Sequence, residues 1–185
     1  MDLYKYKNES ENKKYILRTI YNEEGISRNE LAAKSGLSLI TVSKFVSELI
    51  SDGIVEEYGT LESTGGRRSS MLRVNPNCAY IIGIDIGAHS TKIGVVQING
   101  ELVEKELVES NNMPAQGISL EELCAKIENI IEKYGFDRLL GIGVGISGMV
   151  DPDGGKVIFC PNISGWDGVN VCEILKKRFS VPVFL

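Results

Sequence analysis

At 185 residues the chain suits one large domain or two modest ones, and its 43% hydrophobic and 24% charged residues exclude a disordered or fibrous protein. The formal net charge of −5 hides an asymmetry, since residues 1–76 carry 11 Lys and Arg against 11 Asp and Glu whereas residues 77–185 carry 9 against 14. An acidic second part repels phosphate backbones, and a neutral first part binds them only with its cations gathered on one face.

Residues 13–22 put Ile16, Leu17 and Ile20 on one helical face that needs a partner to cover it. Ser27 with Glu30 three residues later forms a capping box, which opens a short helix over 28–35 that buries Leu31 and Ala32. Gly36 ends that helix, and Ser38 caps a longer one over 39–51. Helix, Gly-containing turn and helix is the arrangement of helix-turn-helix proteins. In the 39–51 segment Val42, Phe45, Val46, Leu49 and Ile50 follow a buried stripe, leaving Ile40, Thr41, Ser43, Lys44 and Ser47 on the other face. Short hydroxyls and one cation let a helix lie deep in the major groove, so Ser38, Ile40, Thr41, Ser43 and Lys44 are candidate DNA contacts. The helical pattern alone equally suits a three-helix protein-interaction module with a solvated polar face.

Ile54, Val55 and Glu57 read as a short strand and residues 71–74 as its partner. Between them Glu62-Ser-Thr-Gly-Gly-Arg-Arg-Ser-Ser70 reads as a wing whose Arg67 and Arg68 suit a narrow, electronegative minor groove. An ordinary exposed hairpin explains that loop taken singly; helix-turn-helix and wing in this order favour double-stranded DNA as the partner. Asn75-Pro76-Asn77 breaks the helical pattern and marks a boundary, giving a winged helix-turn-helix domain over 1–76 and a second domain over 77–185.

In the second part residues 80–87 and 91–98 read as strands joined by a turn, Asn99-Gly100 as a two-residue hairpin signal, and 101–109 as a third strand. Ser119 and Glu122 form another capping box, opening a helix to about Tyr134 with Leu120, Leu123, Cys124, Ile127, Ile130 and Ile131 inward. A Gly-dense strand over 139–146, a helix over 166–179 and a strand over 181–185 follow. A three-strand meander, helix, strand, helix, strand is the order of the ribonuclease H-like lobe of actin-like kinases. The fold class is therefore α/β overall: an all-α-plus-wing domain followed by a partial ribonuclease H-like (actin-like ATPase) α/β domain. In that lobe Asp85, Gly87, Thr91 and Lys92 occupy the first phosphate-loop position, where a carboxylate and Gly after a strand let a phosphate and its metal approach; a plain hairpin turn accounts for the same residues.

Ser63-Thr-Gly-Gly-Arg67, Gly83-Ile-Asp-Ile-Gly87, Gly143-Val-Gly-Ile-Ser-Gly-Met-Val-Asp151 and Pro161-Asn-Ile-Ser-Gly-Trp166 together resemble the ROK family of repressors, open reading frames and kinases. The likeness runs from about Lys13 to Leu185. It implies a homodimeric repressor of sugar-utilisation genes that leaves its operator when a sugar effector binds; the other branch of the family, ATP-dependent sugar kinases without a winged helix, is the alternative. Family kinases carry two glycines and a threonine at the phosphate loop, where this chain has Gly87-Ala88-His89, and a methyl and an imidazole crowd a phosphate.

The resemblance places the catalytic aspartate, a cysteine-rich zinc motif, the Glu and His sugar ligands and the second lobe beyond Leu185. The expectation is an incomplete first lobe with no catalytic residue, metal or cofactor of its own, zinc belonging to the complete family domain. A partial sugar wall is expected from Gly145, Ser147, Gly148 and Asp151, with Asn162 and Gly165 on an adjacent loop and Trp166 closing it or serving as core; the glycines equally suit close packing of strand on helix. Cys78, Cys124, Cys160 and Cys172 lack paired spacing and His89 stands alone, so no disulfide framework or zinc site is signalled. The polar N-terminus carries no secretory stretch, and the longest Gly-and-apolar run, 139–150, is too short to span a bilayer. A cytoplasmic location with no membrane partner and reduced cysteines is expected.

Overall fold

A computed structural model describes residues 9–60, 70–109 and 117–185. The chain divides into two compact units, Met1–Cys78 and Ala79–Leu185.

The first unit opens with α1 (Glu11–Asn22), which starts earlier than its apolar pattern because the Ser10 hydroxyl accepts the Lys13 amide at 3.3 Å. α2 (Arg28–Ser35) has the full capping box: the Ser27 hydroxyl accepts the Glu30 amide, and the Glu30 carboxylate accepts the Ser27 amide at 2.8 Å. Gly36, at φ +69°, ends it in the left-handed conformation. α3 (Leu39–Ser51) follows on its Ser38 cap, and β1 (Val55–Thr60) pairs antiparallel with β2 (Ser70–Val74). The turn between α1 and α2 adds a third piece to that ribbon, with Gly25 donating to the Leu72 carbonyl and Leu72 to the Ile26 carbonyl.

Ile16, Ile20, Leu31, Val42, Val46, Leu49, Ile54 and Leu72 form one sealed core, with Leu17, Ala32, Phe45 and Ile50 packed half-buried at its margin. Each fully buried aliphatic side chain contributes roughly 1.5–3 kcal/mol relative to exposure, so this cluster fixes the helix arrangement. Ion pairs tie the periphery down. Lys13, itself buried, reaches from α1 to the Glu48 carboxylate of α3 at 2.8 Å and to Glu9 at 3.4 Å. Desolvation alone depresses the Lys13 ammonium, but the Glu48 hydrogen bond and the charges of Glu48 and Glu9 outweigh it and hold its pKa above the ordinary value. Arg28 of α2 grips Glu57 of β1 at 2.6 Å, and Arg73 of β2 bonds Glu56 at 2.7 Å while lying over the Tyr58 ring.

In the second unit β3 (Tyr80–Ile86), β4 (Ser90–Gln97) and β5 (Leu102–Glu109) form the expected antiparallel meander. α4 (Leu120–Tyr134) leads to β6 (Leu139–Ile146), which pairs parallel with β3. A small hairpin, β7 (Met149–Asp151) and β8 (Lys156–Phe159), precedes α5 (Val171–Phe179) and β9 (Val183–Phe184). The sheet order is β5-β4-β3-β6-β9, with β6 and β9 parallel. One core joins Ile82, Ile84, Ile86, Ile93 and Val95 of the sheet to Leu123 and Ile127 of α4 and to Leu175 and Phe179 of α5.

Two expectations need correction, and one element was not foreseen. The Asn99-Gly100 turn is not a mirror-image two-residue turn, because Gly100 alone of the two has positive φ (+87°). Gly100 instead donates to the Gln97 carbonyl and Gln97 to the Glu101 carbonyl, a three-residue loop whose extra residue is absorbed by a register shift at Val95 and Val96. The second helix begins at Val171 rather than at Trp166. Gly165 and Gly168 take positive φ, and Gly168 and Val169 run beside β8, with Gly168 donating to Val157 and Val157 to Val169. The β7–β8 hairpin was not anticipated, although Asp151-Pro-Asp-Gly-Gly155 between two valines is a turn signature.

Two outcomes follow from this packing. The carboxylates of Glu30, Glu48 and Glu57 are held below their ordinary value of 4.5, by the Ser27 backbone, Lys13 and Arg28 bonds respectively. A depressed folded pKa gives stability that is present above the unfolded value and lost as pH falls through the folded one. Far-UV circular dichroism of urea unfolding should therefore show the midpoint falling as pH drops below 4.5, with a shallower fall in Glu30→Gln; a midpoint flat through that range contradicts the assignment. Trp166→Phe removes the only tryptophan and the 3.0 Å bond from its Nε1 to the Ile118 carbonyl. It should lower unfolding free energy by about 1–3 kcal/mol, read by circular dichroism, whereas an unchanged midpoint would show that the bond contributes nothing.

Candidate functional site

The buried Val42, Val46 and Leu49 stripe turns the opposite side of α3 outward. Ile40, Lys44 and Ser47, spaced by four and three residues, form one exposed ridge, with Thr41 and Ser43 half-buried on its flanks. Ser38 is exposed at the tip, where its hydroxyl accepts the Thr41 amide at 3.2 Å and lies 2.9 Å from the Thr41 hydroxyl. The two hydroxyls thus satisfy each other in part. Ile40 is 83% exposed and Leu39, which the sequence reading passed over, 47%. Arg67 and Arg68 lie outside the described residues, in the sequence between β1 and β2.

The structure adds a feature that helix pattern did not disclose. Lys14, Tyr15 and Arg18 of α1 and Lys34, Ser35 and Leu37 at the turn before α3 line a groove of about 380 Å³. Lys14 pairs with Glu11 and Lys34 with Glu23, while among the described residues no carboxylate lies within 4.0 Å of the Arg18 guanidinium. The Tyr15 hydroxyl bridges to the Lys34 carbonyl at 3.4 Å. The available signal was the Lys14 and Arg18 spacing along one helix; Lys34 joins them only through the tertiary fold.

In the second unit the β3–β4 turn does not form an open phosphate cradle. Asp85 faces Lys92 across the strand pair and bonds its ammonium at 3.1 Å. Thr91 is 1% exposed, on the core side beside Ile86, and its hydroxyl has no hydrogen-bond partner among the described residues. The expectation that Thr91 supplies a phosphate donor is corrected accordingly. Gly87 donates to the Ser90 carbonyl at 3.0 Å, and a Cβ there would meet that oxygen at 2.9 Å, so the tight turn itself demands glycine.

The six residues expected to form a sugar wall have different surroundings. Gly145 lies exposed near the end of β6, and the Ser147 amide is bonded to Ile86 at 3.0 Å. Gly148 packs against Phe159, where a Cβ would meet its carbonyl at 2.7 Å. Asp151 is corrected from ligand to turn former: its carboxylate accepts the Gly154 amide at 3.0 Å at the hairpin tip. Asn162 is exposed on the loop after β8, and Gly165 lines a concavity of about 380 Å³ with Val108, Glu109, Ser119, Glu122 and Ser164. Trp166 borders it too, but at 2% exposure its ring belongs to the core. Glu109, Ser119, Glu122 and Ser164 come from three separated segments, so spacing offered no sign of their convergence.

The cysteines are all free, and burial pushes every thiol up, Cys78 to about 11. Protonated thiols are neither nucleophiles nor ready metal ligands. Among the described residues no three His, Cys, Asp or Glu side chains are grouped to hold a metal, so these residues do not fit zinc. Among the described residues no helix is long and apolar enough to cross a membrane.

Comparison with known proteins follows the same division. Residues 9–56 match the family described as winged helix-turn-helix DNA-binding, and residues 81–185 match the ROK family. The xylose repressor of Caldicellulosiruptor bescii is 34% identical over 180 residues, 94% of this chain and 44% of that protein. The xylose repressor of Bacillus subtilis is 33% identical over 181 residues, 94% of this chain and 45% of its own. The DNA-binding transcriptional dual regulator NagC of Escherichia coli is 29% identical over 175 residues, 92% and 42% respectively. The chain thus spans less than half the length of the curated relatives it matches. A solved ROK family transcriptional regulator, a homolog of the E. coli MLC protein, shares the fold with TM-score 0.63 at 23% identity, over 94% of this chain and 44% of that one. Since the family match takes in more than half of the residues, including the whole sheet from Ile81 onward, this chain belongs to the ROK family.

Proposed function

We propose that this chain is a sequence-specific DNA-binding regulator that represses sugar-utilisation genes, its first unit docking on an operator and its second belonging to a domain that takes a sugar effector. The observation that carries this reading is the outward ridge of Ile40, Lys44 and Ser47 on a helix gripped from behind by Val42, Val46 and Leu49. Two of its relatives by sequence are named xylose repressors.

In this reading α3 enters the major groove by its N-terminal turn, with Ser43 and Lys44 toward base edges and phosphates. Ser38 and Thr41 stand at the leading end. Lys14, Arg18 and Lys34 meet the backbone beside the turn, and Arg67 and Arg68 take the adjoining minor groove. A homodimer would read two half-sites one or more helical turns apart, about 34 Å per turn. The relatives' names make xylose the first effector to examine. A sugar kinase is disfavoured by the Asp85–Lys92 pair, the inward Thr91 and the Ala88-His89 crowding at the turn.

Fluorescence anisotropy of the full chain on the region upstream of its own gene, over graded salt, tests this. Binding should weaken steeply with salt, and Lys44→Ala should lower the slope of log affinity against log salt by about 0.9, the release from one phosphate. Combined Arg67→Ala and Arg68→Ala should weaken binding further. Salt-independent affinity, or none, contradicts the proposal.

A further inference from the structure

The leading turn of α3 offers carbon rather than hydroxyl to its surroundings. Ile40 is 83% exposed and Leu39 47%, although neither exposure assists folding. The neighbouring hydroxyls of Ser38 and Thr41 are 2.9 Å apart and bonded to each other, and Ser38 also accepts the Thr41 amide. The groups best placed to read a base edge through hydrogen bonds are therefore partly spent on capping the helix.

The setting of these two side chains limits what they meet. Lys44 lies one turn on, Ser47 continues the ridge, Ser43 flanks it, and the Lys14, Arg18 and Lys34 groove adjoins the preceding turn. Two apolar side chains ringed by hydroxyls and cations fall far short of the roughly 800 Å² per partner that a stable protein interface buries. They do suit the floor of a major groove, where thymine presents a C5 methyl among polar edges and phosphates lie alongside. Lys44 and the basic groove supply the charge complementarity for those phosphates.

We propose that Ile40, flanked by Leu39, is a specificity-determining residue that packs on thymine C5 methyl groups where α3 enters the major groove. This rests on the DNA-binding reading above and goes beyond it by naming the base and the atom. The discrimination comes from burying a methyl group against a side chain, so it survives in salt that weakens the phosphate contacts.

The test uses the full chain and the duplex it selects most strongly from a random-sequence pool, resynthesised with deoxyuridine in place of one thymine at a time, which removes the methyl and keeps the pairing. At one or two positions the affinity should fall about fourfold per methyl, the effect of burying one such group. Ile40→Ala should lower affinity for the thymine duplex similarly and abolish the thymine-to-deoxyuridine difference at those positions only. Leu39→Ala should reduce that difference partially. Because Ile40 is exposed, its unfolding midpoint should match the parent chain. Equal affinity for thymine and deoxyuridine at every position, or a difference that persists undiminished in Ile40→Ala, overturns the proposal. So does an Ile40→Ala chain whose DNA affinity is intact and whose sedimentation mass falls, which assigns the face to a protein contact. Failure to select any duplex would instead defeat the DNA-binding reading itself.

Discussion

Burial of Val42, Val46 and Leu49 against Ile16, Ile20 and Leu31 is the constraint from which the first unit's properties descend. A helix can show only one face at a time, so committing these side chains inward determines that Ile40, Lys44 and Ser47 point out. The approach of α3 is set at both ends. Gly36, at φ +69°, reverses the chain in the left-handed conformation that side chains with a Cβ rarely adopt, and Ser38 caps the first turn. Lys13 pins the far half of the helix through Glu48, reaching across from α1. Neither the cap nor the ion pair needs to contribute much energy, because the core holds the helix and they fix its register.

The second unit applies the same logic to a sheet. Its inner face is sealed by α4 and α5, and the ends of β3 and β6 are stitched together by the Ser147 to Ile86 bond. Trp166 sits where the loop after β8 folds back, donating to Ile118 just before the Ser119 cap of α4. This anchoring brings Ser164 and Gly165 beside Ser119 and Glu122 in one concavity. The carboxylates of Glu104 and Glu106 meanwhile bind Lys133 and Lys126, holding α4 along the edge strand β5.

Features that depend on nearest neighbours were legible before any coordinates. The Ser27 and Glu30 box, the Gly36 stop and the Ser38 cap place α2 and α3 on the residues expected, because each is decided within four residues. The order along the chain of the second unit's five sheet strands and two helices was legible too, because each segment carries its own periodicity, although the β7–β8 hairpin was not. Features that depend on distant segments were not. A helix starting at Trp166 looked continuous by periodicity, and only the bonds of Gly168 and Val169 with Val157 show why no helix forms there before Val171. Asp151 looked like a polar ligand after a glycine-rich strand, yet a local turn uses its carboxylate. At the candidate DNA surface the list of outward residues was readable, but the pairing of Ser38 with Thr41 and the grouping of Lys34 with Lys14 and Arg18 depend on how side chains and helices meet.

The central claim is that the outer ridge of α3 is the surface that meets DNA. Heteronuclear NMR of the isotope-labelled chain, titrated with duplex DNA at low salt, examines it residue by residue. The account predicts amide shifts concentrated on Ser38, Ile40, Lys44 and Ser47 and at the Lys14 and Arg18 groove, with the Leu31 and Leu49 amides little changed. Shifts confined to other surfaces while α3 stays silent would contradict it.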